Sequence, residues 1–418
     1  MTPASRRLAL SLAAITVLVA GGCGHRRAPA HPHEVVFWHS LPAAIVDSVL
    51  RSFEAANPGV RVTAVAMPES TSADSAAAAV AAGNPPDLCQ LHGEDLPPFL
   101  ARNSLSDWSA GVADLRPDAA APSPDSGMGI GSLRGWPMCM LGDAIYGVPW
   151  LLSPRLLYKN RGLFAHAHMD SGAVVATWSD LQSAAARIDR LRGGIHGFGL
   201  STGRPGHSLE AFMTWAWSND GGFLSARLDS SLINCRANIE ALEYLASLRN
   251  VSRIAADDTL EHEFLAGRLG MIVADSRRMT RWQRIAPQIS YGWTNVPSAT
   301  PNRLTLTVGS GEVLVSFTGS RHKEDALRLA RFLVRPSVER AVARATGNVE
   351  PAWKAGRTTG IGGPSPVDRA TFLPNIRNRA ALEDTLQALL DDAILGRRTA
   401  ANALATADSF MTTHLGVK

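Results

Sequence analysis

The stretch from Val35 to Val65 constrains the fold more than any other part of the chain. Val35-Val36-Phe37-Trp38 is a short apolar run of β-forming residues, the pattern of a buried parallel strand. Ile45, Val46, Val49, Leu50 and Phe53 then recur at helical spacing on one face, and Asn57-Pro58-Gly59 stops that helix. Arg61-Val62-Thr63-Ala64-Val65 returns to strand character. Strand, helix, stop and strand in succession is the repeating unit of an α/β domain. The alternation continues with a helical run through Ala76 to Ala82, a stop at Gly83-Asn84-Pro85-Pro86, and a strand through Asp87-Leu88-Cys89-Gln90-Leu91.

Further along, Thr177 is placed to cap a helix that carries Asp180 in its first turn and Leu181, Ala185 and Ile188 on its buried face. Gly193-Gly194 ends it. Ala326, Leu329, Ala330 and Leu333 mark another amphipathic helix, and the tail from Ala380 to Phe410 is helical with a break at Gly396. The Gly/Pro-rich stretch from Gly356 to Pro366 reads as an irregular surface loop.

The N-terminus has a separate logic. Arg6 and Arg7 precede an uncharged run from Leu8 to Ala20 that ends in Gly21-Gly22-Cys23. A basic start, a short apolar core and small residues before a cleavage point describe an export signal. The run is shorter than the roughly 20 residues a spanning helix needs. The small residues before Cys23 resemble a bacterial lipobox, with Ala20 where Leu is usual. On that reading residues 1–22 are removed and Cys23 is acylated, which anchors an exported protein to the outer face of the cell membrane. The alternative is a plain signal peptide cut nearby. Gly24 to His33 is polar, contains Pro and lacks periodicity, so residues 23–33 read as the lipidated cysteine and a flexible tether. Its three histidines, irregularly spaced, give no metal motif, and no metal site is expected.

The chain has 418 residues and a formal net charge of +4. Residues 1–22 hold two Arg and no acid, so their removal lowers the charge to +2. Only four Lys occur and the Arg residues are scattered without a basic stripe, which argues against a nucleic-acid partner. Apart from Cys23 the cysteines are Cys89, Cys139 and Cys235. Three widely spaced cysteines permit one disulfide at most, with the pairing open, and no CxxC suggests zinc.

The order of several short pieces carries a family resemblance. These are Val36-Phe37-Trp38-His39-Ser40, Asn84-Pro85-Pro86-Asp87-Leu88, Tyr146-Gly147-Val148-Pro149-Trp150 and Leu157-Tyr158-Lys159-Asn160. They continue with Thr177-Trp178-Ser179-Asp180-Leu181, Phe264 to Met271, Phe372-Leu373-Pro374-Asn375-Ile376 and Gly396-Arg397-Arg398-Thr399. From about Val35 to the C-terminus the chain resembles the extracellular solute-binding proteins of ATP-driven sugar importers, the maltose-binding and glycerophosphodiester-binding group. The resemblance implies an α/β, two-lobed periplasmic-binding-protein fold with a ligand cleft between the lobes and several hinge crossings. The crossings are expected near Leu151 to Pro154, near Trp293 to Pro297, and between Pro336 and Gly347. That gives 34–152 plus 297–336 as one lobe and 153–293 plus 340–418 as the other. It also implies a small carbohydrate-like ligand, importer permease subunits as partners, no cofactor, and a monomer.

A sugar site needs Trp or Tyr faces and polar side chains around the ring edge. Ligands of open α/β sheets bind beyond the carboxyl ends of strands. That rule selects Trp38, His39 and Ser40 after the first strand, or Trp38 is core. It also selects His92, Glu94 and Asp95, one of which stands where the family places an acidic ligand contact, although these carboxylates also suit a cap on the next segment. Trp150 and Ser153 lie at the first expected crossing, and Ser153 matches a ligand-contacting Ser of the family. Of Trp215 and Trp217, two apart, Trp217 is nearer the turn Asn219-Asp220-Gly221-Gly222 and is the expected stacking face. Ser276 and Arg277 follow the strand-like Met271 to Ala274. Gly309, Ser310 and Gly311 either offer backbone N–H groups or form a plain turn. Arg377 matches the region of a family Arg that reaches the cleft, or it makes a surface ion pair. Where maltose binders place an aromatic shortly after this motif, the chain has Ala381-Leu382-Glu383.

Enzyme motifs are missing. Glu94 with Asp95, and Asp257 with Asp258, are adjacent, and neighbouring side chains do not flank one glycosidic bond from opposite sides. His262-Glu263-Phe264 lacks the second His of HExxH, no Lys follows a Gly, and Val308 and Glu312 exclude GxSxG. A binding protein is expected, with a glycoside-acting enzyme or an adhesion lipoprotein as the alternatives.

Overall fold

The computed structural model describes residues 33–115, 133–202, 208–301, 306–346, 350–351, 369–376 and 379–415. The signal, Cys23 and most of the tether lie outside the described residues, as do Arg377 and the loop expected from Gly356 to Pro366. The chain opens with β1 (His33–His39), α1 (Ala43–Ala56), β2 (Val60–Ala66), α2 (Ser72–Ala81), β3 (Leu88–His92), α3 (Leu96–Ala101) and α4 (Trp136–Cys139). A short hairpin, β4 (Met140–Leu141) and β5 (Ala144–Ile145), leads into the long β6 (Val148–Asn160). Next come α5 (Arg161–His166), α6 (Trp178–Asp189), β7 (His196–Ser201), α7 (Ser208–Trp217), α8 (Arg236–Ser247), β8 (Ser252–Ala255) and α9 (Asp257–Leu265). They are followed by β9 (Leu269–Asp275), α10 (Arg278–Ile285), β10 (Tyr291–Thr294) and β11 (Thr307–Val315). The last elements are α11 (Lys323–Leu333), α12 (Pro336–Thr346), β12 (Glu350–Pro351), β13 (Ala370–Phe372), α13 (Arg379–Ile394) and α14 (Ala400–His414).

The strands run β2-β1-β3-β11-β6-β9-β7-β8 across both lobes. β1 lies parallel to β2 and β3, as the strand–helix–strand opening requires. α1 buries Val46, Leu50 and Phe53 against this sheet. In the second lobe α6 begins at a complete capping box, in which Thr177 Oγ1 accepts from the Asp180 amide and Asp180 accepts from the Thr177 amide. Its buried face is Leu181, Ala184, Ala185 and Ile188.

Two cores separate the lobes. One gathers Val35, Phe37, Leu91, Trp150, Leu152, Val313, Val315, Leu329 and Val342. The other gathers Leu157, Phe198, Trp215, Leu242, Met271, Val308, Leu386 and Leu404, with a smaller cluster around Tyr158, Phe264 and Trp282 on the opposite side of the second sheet. β6 runs from one core to the other and is buried along its whole length. Its first half pairs antiparallel with β11, and from Arg155 onward it pairs with β9. Pro154 sits at the change of partner, where a missing N–H costs little.

β11 makes the second passage, since Val308 lies in the second core and Val313 in the first. That differs from the passage expected at Trp293 to Pro297: Val296 packs in the second core, and the Ser298 amide donates to Ala176 O there. Residues 340–346, expected in the second lobe, instead bring Val342 and Ala343 into the first core, and among the described residues the next change of core falls between Phe372 and Leu373. The crossings near Pro297 and Pro336 were expected from the family resemblance; the observed passages by β6 and β11 run along strands, where continuous pairing leaves no turn signal. Cys89, Cys139 and Cys235 are free thiols. Among the described residues no helix is long and apolar enough to cross a membrane.

Candidate ligand cleft

Two strand ends face each other across the lobes. β3 ends at His92 and turns through Gly93-Glu94-Asp95, where Gly93 is required because a Cβ there would lie 2.8 Å from Met138 Sδ. β9 ends at Asp275, and Ser276-Arg277 leads into α10. β11 lies beside β3 with Glu312 opposite His92, and Glu312 Oε1 is 2.8 Å from His92 Nδ1.

Arg277 joins these groups. Its backbone N–H donates to Asp275 Oδ1 at 2.9 Å, which sets the side chain's direction. Its guanidinium reaches His92 Nε2 at 3.1 Å, Glu94 Oε1 at 3.6 Å and Glu312 Oε1 at 3.8 Å. His92, Glu94 and Glu312 belong to the first lobe, while Asp275 and Arg277 belong to the second. A cavity of about 720 Å³ opens over this cluster. One wall is Ser70, Ala73, Asp74, His92, Glu94 and Asp95; the other is Asp258, Arg277, Arg278 and Arg281.

A smaller space behind it shares Glu94, Arg277 and Arg278 and reaches Arg155, Glu210, Asp257 and Ser310. Arg155, from the partner-switch point of β6, lies 3.5 Å from Glu210 and 3.8 Å from Asp257. Arg379 at the start of α13 donates to Glu383 at 2.6 Å. Arg278 and Arg281 both pair with Glu261.

Burial dominates the electrostatics. It pushes Glu210 up to about 8; the nearby Glu94 and Glu383 add to the shift, and Arg155 and Arg379 oppose it. Burial also raises Asp95 to about 6, against the attraction of His92 and Arg277. Glu383 rises for the same reason despite Arg379. At neutral pH the floor of the cleft therefore holds a protonated Glu210 beside Arg155, an arrangement suited to hydrogen bonding with hydroxyls or with an anion.

The structure brings His92, Glu94, Asp95 and Arg277 together at the cavity. Ser310 lines the smaller space, donates to Asp275 and lies 3.3 Å from Ser153 Oγ, but Ser153 itself is buried. Ser276 is also buried, with its hydroxyl lacking a partner. Gly309 and Gly311 are interior residues of β11 rather than a turn, paired with Pro154 and Leu152. Trp150 is fully buried against Phe37 and lies in the first core. Trp217 packs in the second core, 8% exposed. Neither ring lines the cavity, because both sit on the apolar side of their elements.

Trp38 packs partly buried on the first core. His39 is buried, its Nδ1 accepting from the Leu41 amide, and burial lowers its pKa. Ser40 is tied to Gln90, whose Nε2 donates to Ser40 Oγ at 2.9 Å. None of these three lines the cavity among the described residues. Arg155, Glu210, Glu312, Arg278 and Arg281 were not singled out in sequence. Glu210 and Arg155 lie inside regular elements, where a polar residue reads as an exposed face. Arg278 and Arg281, adjoining the selected Arg277, are the two that a strand-end search extended by one helical turn would have found.

Solved structures with the same fold include an ABC-transporter solute-binding protein of Thermotoga lettingae, bound with alpha-D-tagatose. It has a TM-score of 0.72 and 21% identity over 92% of this chain and all of that one. The cyclic alpha-maltosyl-1,6-maltose binding protein of Arthrobacter globiformis superposes with a TM-score of 0.72 and 20% identity, covering 92% of this chain and 99% of that one. By sequence, a Brucella abortus protein named as a binding protein is 25% identical over 296 residues, 69% of this chain and 67% of its own length. The sn-glycerol-3-phosphate-binding periplasmic protein UgpB of Shigella dysenteriae is 24% identical over 276 residues, 63% of this chain and 60% of its own. Residues 48–357 match the family described as bacterial extracellular solute-binding protein, and with the two-lobed fold and a charged cleft between its lobes, the chain belongs to that family.

Proposed function

We propose that the protein is the solute-capturing subunit of an ABC importer, and that it takes a carbohydrate-derived, hydroxyl-rich solute between Glu94 and Asp95 on one lobe and Arg277 on the other. The observation that carries this reading is the reach of Arg277 across the lobes to His92, Glu94 and Glu312. A solute that bonds to this cluster is satisfied by both lobes only when they are closed, so binding stabilises closure and closure signals loading. The closed form docks on the permease subunits. The protein is exported, acts as a monomer, and is held at the outer face of the membrane through acylated Cys23. The relatives are named as binding proteins, and the adjacent carboxylates give no pair flanking a bond, which supports binding without catalysis.

A second ligand class has its own support. Arg277, Arg278 and Arg281 line one wall, and guanidinium groups grip phosphate bidentately, which suits a glycerophosphodiester. Glu261 pairs with two of the three, so hydroxyl recognition by the carboxyl groups is the leading reading.

One experiment separates them. Thermal unfolding and small-angle scattering are followed with neutral di- and oligosaccharides, amino sugars and glycerophosphodiesters. At a hundredfold excess over the dissociation constant, a true ligand adds about 2.7 kcal/mol of stability, and the radius of gyration falls as the lobes close. Arg277→Ala is expected to weaken binding by about 2–5 kcal/mol and to abolish both responses. No response to any class, or a response that Arg277→Ala leaves intact, overturns the proposal.

A further inference from the structure

We propose that His33, His322 and Asp325 form a binding site for a divalent transition metal, with Zn²⁺ the best match, which fastens the start of β1 to the start of α11. This site is independent of the cleft and of the ligand reading. His33 opens β1, whereas the cleft lies beyond the carboxyl end of the neighbouring parallel β3. The length of β1 puts about 20 Å between its two ends.

Three donor groups converge here from distant parts of the chain. One ring nitrogen of His33, one of His322 and one carboxylate oxygen of Asp325 all lie within 4.8 Å of one another. His33 Nδ1 is 3.0 Å from Asp325 Oδ2, across 292 residues of sequence, and the two imidazole centroids are 5.7 Å apart. Zinc bonds of about 2.0–2.2 Å in tetrahedral geometry place donors about 3.3 Å apart. Small rotations of two rings that are partly or largely solvent-exposed bring the set to that spacing. Imidazole nitrogen with one carboxylate selects zinc-like ions over calcium or magnesium, which take oxygen shells. Solvent reaches the exposed His33 and completes the fourth position with water.

The donors are held from behind, as metal ligands are. Asp325 is buried, and its other oxygen accepts from Arg328 at 2.6 Å, which fixes the carboxylate plane. The backbone N–H of His322 donates to Ser320 Oγ at 3.2 Å and to Asp87 Oδ1 at 3.3 Å. Asp87 in turn accepts from the Val36 amide at 3.0 Å, so the same carboxylate ties the His322 backbone to β1. Without metal, the His33 imidazole and the Asp325 carboxylate hydrogen-bond to each other directly. A strand that begins a lobe frays unless it is tied down, and this site would tie it where the tether joins the fold.

The test titrates the purified, metal-stripped full chain with Zn²⁺ by calorimetry and with Co²⁺ by visible absorption. One equivalent of Zn²⁺ is expected to bind and raise the unfolding temperature, and Co²⁺ is expected to give a tetrahedral spectrum. His33→Gln, at an exposed position that spares the fold, and His322→Gln should each weaken Zn²⁺ at least about 10-fold and remove the thermal shift. Arg328→Gln, which only loosens the carboxylate, should cost about 10-fold. Changing the tether residues His25 and His31 to Gln should leave affinity unchanged. Absence of binding, affinity unaltered in His33→Gln with His322→Gln, or loss of binding on changing His25 and His31 alone would each overturn the site.

Discussion

Glu210 is fully enclosed between Arg155 and the carboxyl groups of the cleft floor, and burial raises its pKa from 4.5 to about 8. A carboxyl that holds its proton more tightly when folded favours folding at low pH and loses that contribution as pH rises. The contribution is complete below about 4.5 and is lost as pH climbs through about 8. Glu210→Gln removes the titration. The variant should match the parent near pH 4 and exceed it by about 1–3 kcal/mol above pH 8, the size of an uncompensated buried polar group. Urea unfolding across that range checks it, and a difference that stays flat with pH counts against the burial account. At this scale the sequence was informative where a rule of position exists. His92, Glu94, Asp95 and Arg277 follow strand ends, and the structure brings them to one cavity. It was uninformative for Trp150 and Trp217, because an indole that fills a core and one that faces a sugar are the same residue in the same apolar run.

Among elements, β6 and β11 carry the connection between the lobes, and the close approach of β6 and β13 to β11 explains two glycines. A Cβ on Gly311 would lie 2.5 Å from the Leu151 carbonyl oxygen, and one on Gly309 would lie 2.5 Å from the Phe372 ring. Gly311→Ala should therefore destabilise by about 1–3 kcal/mol, the usual cost of overpacking. Thermal unfolding would show this as a lower midpoint, and an unchanged midpoint would mean the strands part easily. The elements themselves were largely legible. The strand–helix–strand opening, the Thr177 cap and the late helices follow from apolar spacing and stop signals, and the structure has each of them. The passages between lobes were less so, since Gly-Ser-Gly looks like a turn until its partners are known.

For the whole molecule, the α/β class and the two-lobed arrangement followed from alternation and from the order of short pieces along nearly the entire chain. The proposed anchor belongs to this scale too, because it would decide where the two lobes work. Cys23→Ser should shift the protein from the membrane fraction to the medium or periplasm without changing its unfolding midpoint. A protein that stays with the membrane would mean that something other than this cysteine holds it.

The first core draws on both ends of a long span: Val35 and Phe37 pack with Val313, Phe317, Leu329 and Val342. A chain delivered N-terminus first cannot complete this core until its last quarter arrives. Such distant pairings make folding slow. The same interleaving that gives the lobes their shared strands thus postpones the first lobe's folding, and a chain that has not yet folded can still thread through a narrow pore and fold on the far side.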